Sequence, residues 1–249
     1  MKDLFEPIGK VAAITGGASG FGRIVAEALI ERGVKVAILD VNAKAVNAIA
    51  RDIGALPITV DVSDREEVEN AYAQVKETLG APTMLVNSAG IGGWGPTLEY
   101  PDKLWHQVLD VNLTGTFNTC VTFTKHMAAG SGGAIVNFTS VMGFVGFPGL
   151  IGYAASKGGV IQITRVLAVE MAPLQLRINA IAPSTFATPL AMGNRERYPE
   201  IYDQLLNRTP INRFGRLDEI AAPVLFLLST GASMITGHVL AVHGGYLAS

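Results

Sequence analysis

Short apolar runs alternate along the chain with longer stretches in which apolar side chains return every three or four residues. Val11, Ala12, Ala13 and Ile14 form one such run, stopping at Thr15-Gly16-Gly17. That is the pattern of a strand buried on both faces. Across residues 21–32, Ile24, Val25, Ala28 and Leu29 make a helical stripe, and Gly33 closes it. The same alternation predicts further strands at 34–39, 56–60, 84–86, 134–139, 176–182 and 238–242. Helices are predicted at 42–52, 64–79, 101–112, onward to about 129, 151–172 and 218–228. Asp64, Glu66 and Glu67 open the helix at 64–79, where acids complement the helix dipole. Parallel strands need helix-length crossovers, so this order implies a doubly wound, Rossmann-like α/β sheet of about seven parallel strands with helices on both faces. No linker or shift in composition divides residues 1–249, and one domain is expected. Between Pro189 and Gly215 the pattern loosens, which suits either a lid over a ligand or an ordinary surface helix pair.

Composition narrows the class. The 249 residues are 49% hydrophobic and 16% charged, enough to bury a sizeable core and too apolar for intrinsic disorder. A formal charge of −2 leaves no basic footprint for nucleic acid. The single cysteine excludes a disulfide framework and a cysteine-rich zinc site, and suits a reducing compartment. The opening Met1-Lys2-Asp3-Leu4-Phe5-Glu6 lacks the apolar core of a secretion signal. The longest apolar stretch, 220–228, has nine residues, against about 18 for a membrane span. A soluble, cytoplasmic protein is expected. His106, His126 and His238 lack metal-ligand spacing, so no metal site is expected.

Three features carry chemistry. The first is the turn Thr15-Gly16-Gly17-Ala18-Ser19-Gly20-Phe21-Gly22 between the first strand and helix. Glycines there permit a tight turn and let backbone approach a pyrophosphate at a helix N-terminus. The spacing is neither the common dinucleotide fingerprint nor a Walker loop, and alone it could be a ligand-free turn. The second is Asp40, which ends the second strand 18 residues after Gly22. An acid near that offset receives ribose hydroxyls and repels a 2′-phosphate, favouring NAD over NADP. The third is Tyr153 and Lys157, four residues apart on one helix face, with Ser140 at the end of the fifth strand. A phenol is a poor base at neutral pH; a nearby ammonium would lower its pKa and make it a usable acid and base.

With these motifs the chain resembles the short-chain dehydrogenase/reductase family, of the compact classical type, from Gly9-Lys10 to Gly244-Gly245. The resemblance implies a catalytic set of Asn112, Ser140, Tyr153 and Lys157. It implies cofactor contacts from Gly16, Ser19, Gly20, Phe21 and Gly22, the selector Asp40, and the adenine-side pair Asp61-Val62. Asn87, Ala89 and Gly90 would support the cofactor ribose, Tyr153 and Lys157 would also face the cofactor, and Pro183 and Thr188 would flank the nicotinamide. Tyr153 would exchange a proton while a hydride passes between substrate carbon and NAD. Ser140 would hold the substrate oxygen, Lys157 the ribose, and Asn112 a water of the proton relay.

Four positions depart from the family pattern: Phe21 for a common isoleucine, Ser88 for an asparagine, Ser184 for a glycine, and His243 for an aspartate. His243 reads as a structural residue. Trp94, Met142, Phe144, Phe147, Phe186 and Met192 are expected to wall the substrate pocket, which favours an apolar aromatic or alicyclic alcohol or ketone. Arg195 and Arg197 could instead receive an anionic substrate or simply face solvent. Lys2-Asp3-Leu4-Phe5 and Arg213-Phe214-Gly215-Arg216 also resemble sugar-acid and 3-oxoacyl reductases of the family. A non-catalytic NAD-binding regulator is the other class, one that would not need the proton relay. The apolar helix at 151–172 and the resemblance together imply a homotetramer, or else a dimer.

Overall fold

The computed structural model describes residues 5–248. Seven strands form one parallel sheet: β1 (Val11–Thr15), β2 (Lys35–Asp40), β3 (Leu56–Thr59), β4 (Met84–Asn87), β5 (Gly133–Phe138), β6 (Leu176–Pro183) and β7 (Val239–Val242). Their order across the sheet is β3-β2-β1-β4-β5-β6-β7. The direction of winding reverses between β1 and β4, so a crevice opens outside the carboxyl ends of those strands. The Lys2-Asp3-Leu4 stretch lies outside the described residues, while Phe5 packs on Phe226 with ring centroids 6.2 Å apart.

The two-residue period of the strands sorts the core into two layers. Ile14, Ile38, Val86 and Val136 face α1 (Gly20–Ile30), α2 (Ala43–Ile53) and α9 (Asp218–Leu228), meeting Val25, Leu29, Val46 and Val224. Ala13, Leu39, Leu85 and Ile135 face the other way, toward α3 (Arg65–Leu79), α5 (Gly115–Ala128) and α6 (Ile151–Met171). There they meet Tyr72, Val75, Phe123 and Ala168. The caps match the sequence: Asn42 accepts from the Ala45 N–H, and Asp64 from those of Glu66 and Glu67.

Three boundaries differ from the pattern reading. The helical stretch at 101–129 is α4 (Asp102–Leu109) and α5, joined by a π-helical turn at Asp110–Thr114 that adds a residue and redirects Asn112. Strand β5 stops at Phe138, so Thr139 and Ser140 lie in the bend beyond it. The loosened segment contains two short helices, α7 (Pro189–Arg197) and α8 (Pro199–Asn207).

Candidate active site

The turn after β1 is held by close packing. Gly16 has φ +63°, and a Cβ there would sit 2.8 Å from the Ala89 backbone. A Cβ on Gly22 would collide with the Gly16 carbonyl oxygen. Only glycines let this turn, the start of α1 and the segment after β4 come together. Ser88 Oγ donates to the Thr15 carbonyl at 2.6 Å, and the Ala89 N–H donates to Thr15 Oγ1 at 3.2 Å. Ser88 thus keeps the turn closed in place of the family's asparagine.

Helix α1 begins here with Ser19 as its N-cap, whose side chain makes no capping bond, and with no acid in its first turn. The N-terminal N–H groups and the positive end of the dipole therefore face the crevice unopposed. At the end of β2, Asp40 accepts from the Ala18 N–H through Oδ2 (3.2 Å) and from Asn42 N–H through Oδ1 (3.0 Å). Its carboxylate is thereby fixed beside the glycine turn. Asn118 Nδ2 donates to the carbonyls of Val62 and Ser63, both at 3.0 Å, and steadies the bend carrying Asp61 and Val62.

One continuous cavity of about 810 Å³ runs along these strand ends. Gly16, Ser19, Gly20, Phe21, Asp40, Asp61, Val62, Ala89 and Gly90 line it. Ser140, Tyr153, Lys157, Pro183 and Thr188 line it as well. Gly22 acts from behind, through its contact with Gly16. Asn87 does not reach the cavity: its Nδ2 donates to Asn137 Oδ1 at 2.9 Å and lies 3.3 Å from Cys120 Sγ, inside the sheet. Its link to the cofactor segment runs through the backbone of β4, not through its side chain.

Ser140, Tyr153 and Lys157 are brought together by β5 and α6. Lys157 is buried, and its Nζ donates to the Phe138 carbonyl at 2.9 Å. Thr139 Oγ1 donates to the Lys157 carbonyl at 2.7 Å, tying the same helical turn to the strand end. Burial lowers the Lys157 pKa to about 8. The Tyr153 phenol is pushed above its usual range by burial, with a smaller rise from Tyr202 and a hydrogen bond to Ser140 acting against both. The expected ammonium-driven lowering is not seen here. Lys157 Nζ is 5.7 Å from the Tyr153 ring centroid, and its side-chain hydrogen bond goes to the Phe138 carbonyl. Asn112, fully buried in the π turn, accepts from the Ile91 N–H (2.8 Å) and donates to the Ile91 carbonyl (3.0 Å) and to Ser156 Oγ (3.2 Å).

The expected substrate wall divides. Trp94 and Met142 line the cavity. Phe186 does so from its floor, buried and edge-on to Phe21, which also stacks on Phe138. Phe144, Phe147 and Met192 are not among the lining side chains. Phe144 is 43% exposed, beyond the short turn after Ser140. Phe147 lines a separate hollow of about 420 Å³ with Trp94 and Ile201. Helix α7 presents Leu190, Ala191, Asn194 and Arg197 instead of Met192, while Arg195 lies over the Phe214 ring at 5.1 Å. Sequence reasoning missed Asn194, Tyr198, Ile201, Tyr202 and Leu205, all of which line the cavity. Tyr198, Ile201, Tyr202 and Leu205 recur at helical spacing, the signal that could have found them; Asn194 carries none. His243 Nδ1 accepts from the Gly245 N–H at 3.0 Å, a local structural bond. Among the described residues there is no cluster fit for a metal ion, and no helix is long and apolar enough to cross a membrane.

The donor set fits a nicotinamide dinucleotide. A glycine cradle and an unopposed helix N-terminus suit the pyrophosphate, and a fixed carboxylate suits a ribose diol. A Cβ on Gly90 would come within 3.5 Å of Lys157 Nζ, so that glycine keeps the ammonium's approach open. A family model described as "Enoyl-(Acyl carrier protein) reductase" matches residues 16–247. Galactitol 2-dehydrogenase (L-tagatose-forming) of Cereibacter sphaeroides is 41% identical, over 98% of each chain. The NAD-dependent glycerol dehydrogenase of Listeria innocua is 34% identical, over 97% of this chain and 95% of its own. The chain belongs to the short-chain dehydrogenase/reductase family. A solved gluconate 5-dehydrogenase from Burkholderia cenocepacia, in complex with NADP and tartrate, superposes with a TM-score of 0.93 at 32% identity, over 99% of this chain and 98% of that one. As a member of this family the protein is an oxidoreductase that uses a nicotinamide cofactor.

The buried ammonium gives a test independent of any ligand. Folded protein sheds the Lys157 proton near pH 8, and the unfolded chain near the ordinary value of 10.5. The unfolded state therefore binds more protons across that window, and the parent gains stability as pH rises through it. Relative to a Lys157→Met variant, the parent should gain on the order of 3 kcal/mol between these limits. Unfolding curves at matched pH measure this; a difference that does not change with pH contradicts it.

Proposed function

We propose that the protein is an NAD(H)-dependent oxidoreductase interconverting a secondary alcohol and a ketone. The observation that carries the reading is the Tyr153 phenol, half-buried in the cavity that the glycine turn also lines. Ser140 lines the same cavity and holds the phenol's pKa down against the rise from burial, and Lys157 Nζ lies 5.7 Å from the Tyr153 ring centroid. When bound, the nicotinamide supplies or accepts the hydride. Tyr153 gives its proton to the carbonyl oxygen in reduction and takes one from the hydroxyl in oxidation. Ser140 donates to the same oxygen and steadies its developing charge. Lys157 holds the nicotinamide ribose and, once drawn toward it, favours the phenolate. Asn112 supports the proton relay by fixing Ile91 beside Lys157.

Asp40 selects NAD, since its carboxylate would repel a 2′-phosphate at the end of β2. Similarity to an NAD-dependent glycerol dehydrogenase supports this choice. Trp94, Leu104, Met142, Leu150 and Leu205 give the substrate's carbon skeleton an apolar wall, suited to an alicyclic or aromatic alcohol. A second reading, a secondary alcohol on a hydroxylated or acidic chain, is favoured by Asn194, Arg197 and Tyr202 on the same cavity and by the names of the polyol-oxidising relatives. Helices α7 and α8, within 189–215, act as the lid. The outward Val166 and Val169 of α6, 55% and 79% exposed, are the face through which copies pair into a homotetramer.

Tyr153→Phe removes the proton donor while keeping the ring, and should lower turnover by about 10²- to 10⁴-fold with NADH affinity nearly unchanged. Steady-state rates beside NADH fluorescence titration check it; retained turnover contradicts the assigned role. Asp40→Ala should relax the preference for NADH over NADPH by about tenfold or more. The ratio of the two dissociation constants measures this, and an unchanged ratio moves the selector elsewhere.

A further inference from the structure

The cavity carries a polar edge that the reaction above leaves unused. Tyr202 of α8 and Asn194 of α7 both line it, as do Ser140 and Tyr153. Tyr202 packs in one cluster with Tyr153, Val141, Met142, Leu205 and Tyr246. Its ring lies parallel to Phe214, with centroids 6.1 Å apart and planes 12° apart. That stacking fixes the ring and leaves the hydroxyl as the group with a choice of partner. The Asn194 side chain holds the Tyr202 phenol's pKa down, against the larger rise from burial. The Tyr202 phenol is near enough to that of Tyr153 to push the latter's pKa up. Two phenols thus share one cavity and one apolar cluster, where unused hydrogen-bonding capacity is costly.

Resting on the reading that Tyr153 exchanges a proton with the oxygen on the reacting carbon, we infer that Tyr202 and Asn194 bind a hydroxyl on the neighbouring carbon, so that the substrate is a vicinal diol or the matching α-hydroxy ketone. A phenol has an O–H to give. An amide has a carbonyl oxygen to accept. One donor and one acceptor match one hydroxyl. Ser140 and Tyr153 take the reacting oxygen on one side, and the lid pair takes the adjacent oxygen on the other. The apolar wall of Met142, Leu150 and Leu205 then receives the remaining carbons. An isolated secondary alcohol would set an alkyl carbon against two polar groups and lose their hydrogen bonds.

Matched ligands test this: cyclohexanol against its vicinal diol, and isopropanol against propylene glycol. Two readouts are taken, the dissociation constant of each from the protein–NADH complex by NADH fluorescence, and kcat/KM with NAD. The diol should be preferred by about tenfold or more in each pair. Tyr202→Phe, which keeps the ring on Phe214, and Asn194→Ala should each bring the ratio close to one, and the double variant should go no further. A ratio near one in the parent, or a preference that survives both substitutions, overturns the inference. Equal loss for both members of a pair in Tyr202→Phe also overturns it, since Tyr202 would then act on Tyr153 or on the lid as a whole. Absence of turnover with the binding preference intact would overturn the proton-exchange reading and leave the lid pair standing.

Discussion

A buried ammonium with a main-chain carbonyl as its partner, and no carboxylate, is the constraint on which this site depends. Burying such a charge costs several kcal/mol unless it is well bonded. The Phe138 carbonyl is available to Lys157 only because β5 ends there and turns away. Thr139 takes the Lys157 carbonyl from the other side, so one residue of α6 is clamped to two successive residues at the strand end. The turn at Gly143 fits because a Cβ there would meet the Lys157 carbonyl at 3.0 Å. With that clamp set, Ser140 follows two residues after Phe138, and Tyr153 lies one helical turn before Lys157. The reactive groups share a locus because the amine holds strand and helix together.

The sheet brings the rest to the same edge. Parallel strands deliver every carboxyl end to one side, and the reversal between β1 and β4 parts the crossovers there. Backbone must then approach backbone closely, which explains the glycines at Gly16 and Gly22. Ser88 stitches the β4 segment to Thr15 across that gap. Phe21, larger than the usual family residue, joins Phe138 and Phe186 in an aromatic floor. These rings link the start of α1, the end of β5 and the segment leading into α7.

Much of this was legible in the sequence because it is local. Apolar runs ending in glycines marked β1 and its turn, Asp40 was found by offset, and Tyr153 with Lys157 by helical spacing. What was not legible depends on direction. Asn87 could have been read inward: Leu85, two residues earlier, faces α5 and α6, so Asn87 shares that face with Cys120 and Asn137. Phe144 and Phe147 sit in a bend, where no period says which side chain points into a crevice. Helix α7, reading Pro-Leu-Ala-Met-Gly-Asn-Arg-Glu-Arg, has no apolar stripe to give its orientation, so nothing in the pattern tells that Asn194 lines the cavity and Met192 does not. The π turn that redirects Asn112 leaves no mark in hydrophobic pattern. The direction of the Tyr153 shift depends on burial, which only the folded structure gives.

The central claim is that a hydride crosses this cavity while Tyr153 handles the proton. The most direct measurement is a single turnover with NADH carrying deuterium at the reactive face of C4 and a ketone substrate, followed by mass spectrometry of the alcohol. The account requires one deuterium in each product molecule, bound to the carbinol carbon. Alcohol formed without the label, or with label only at exchangeable positions, would contradict it.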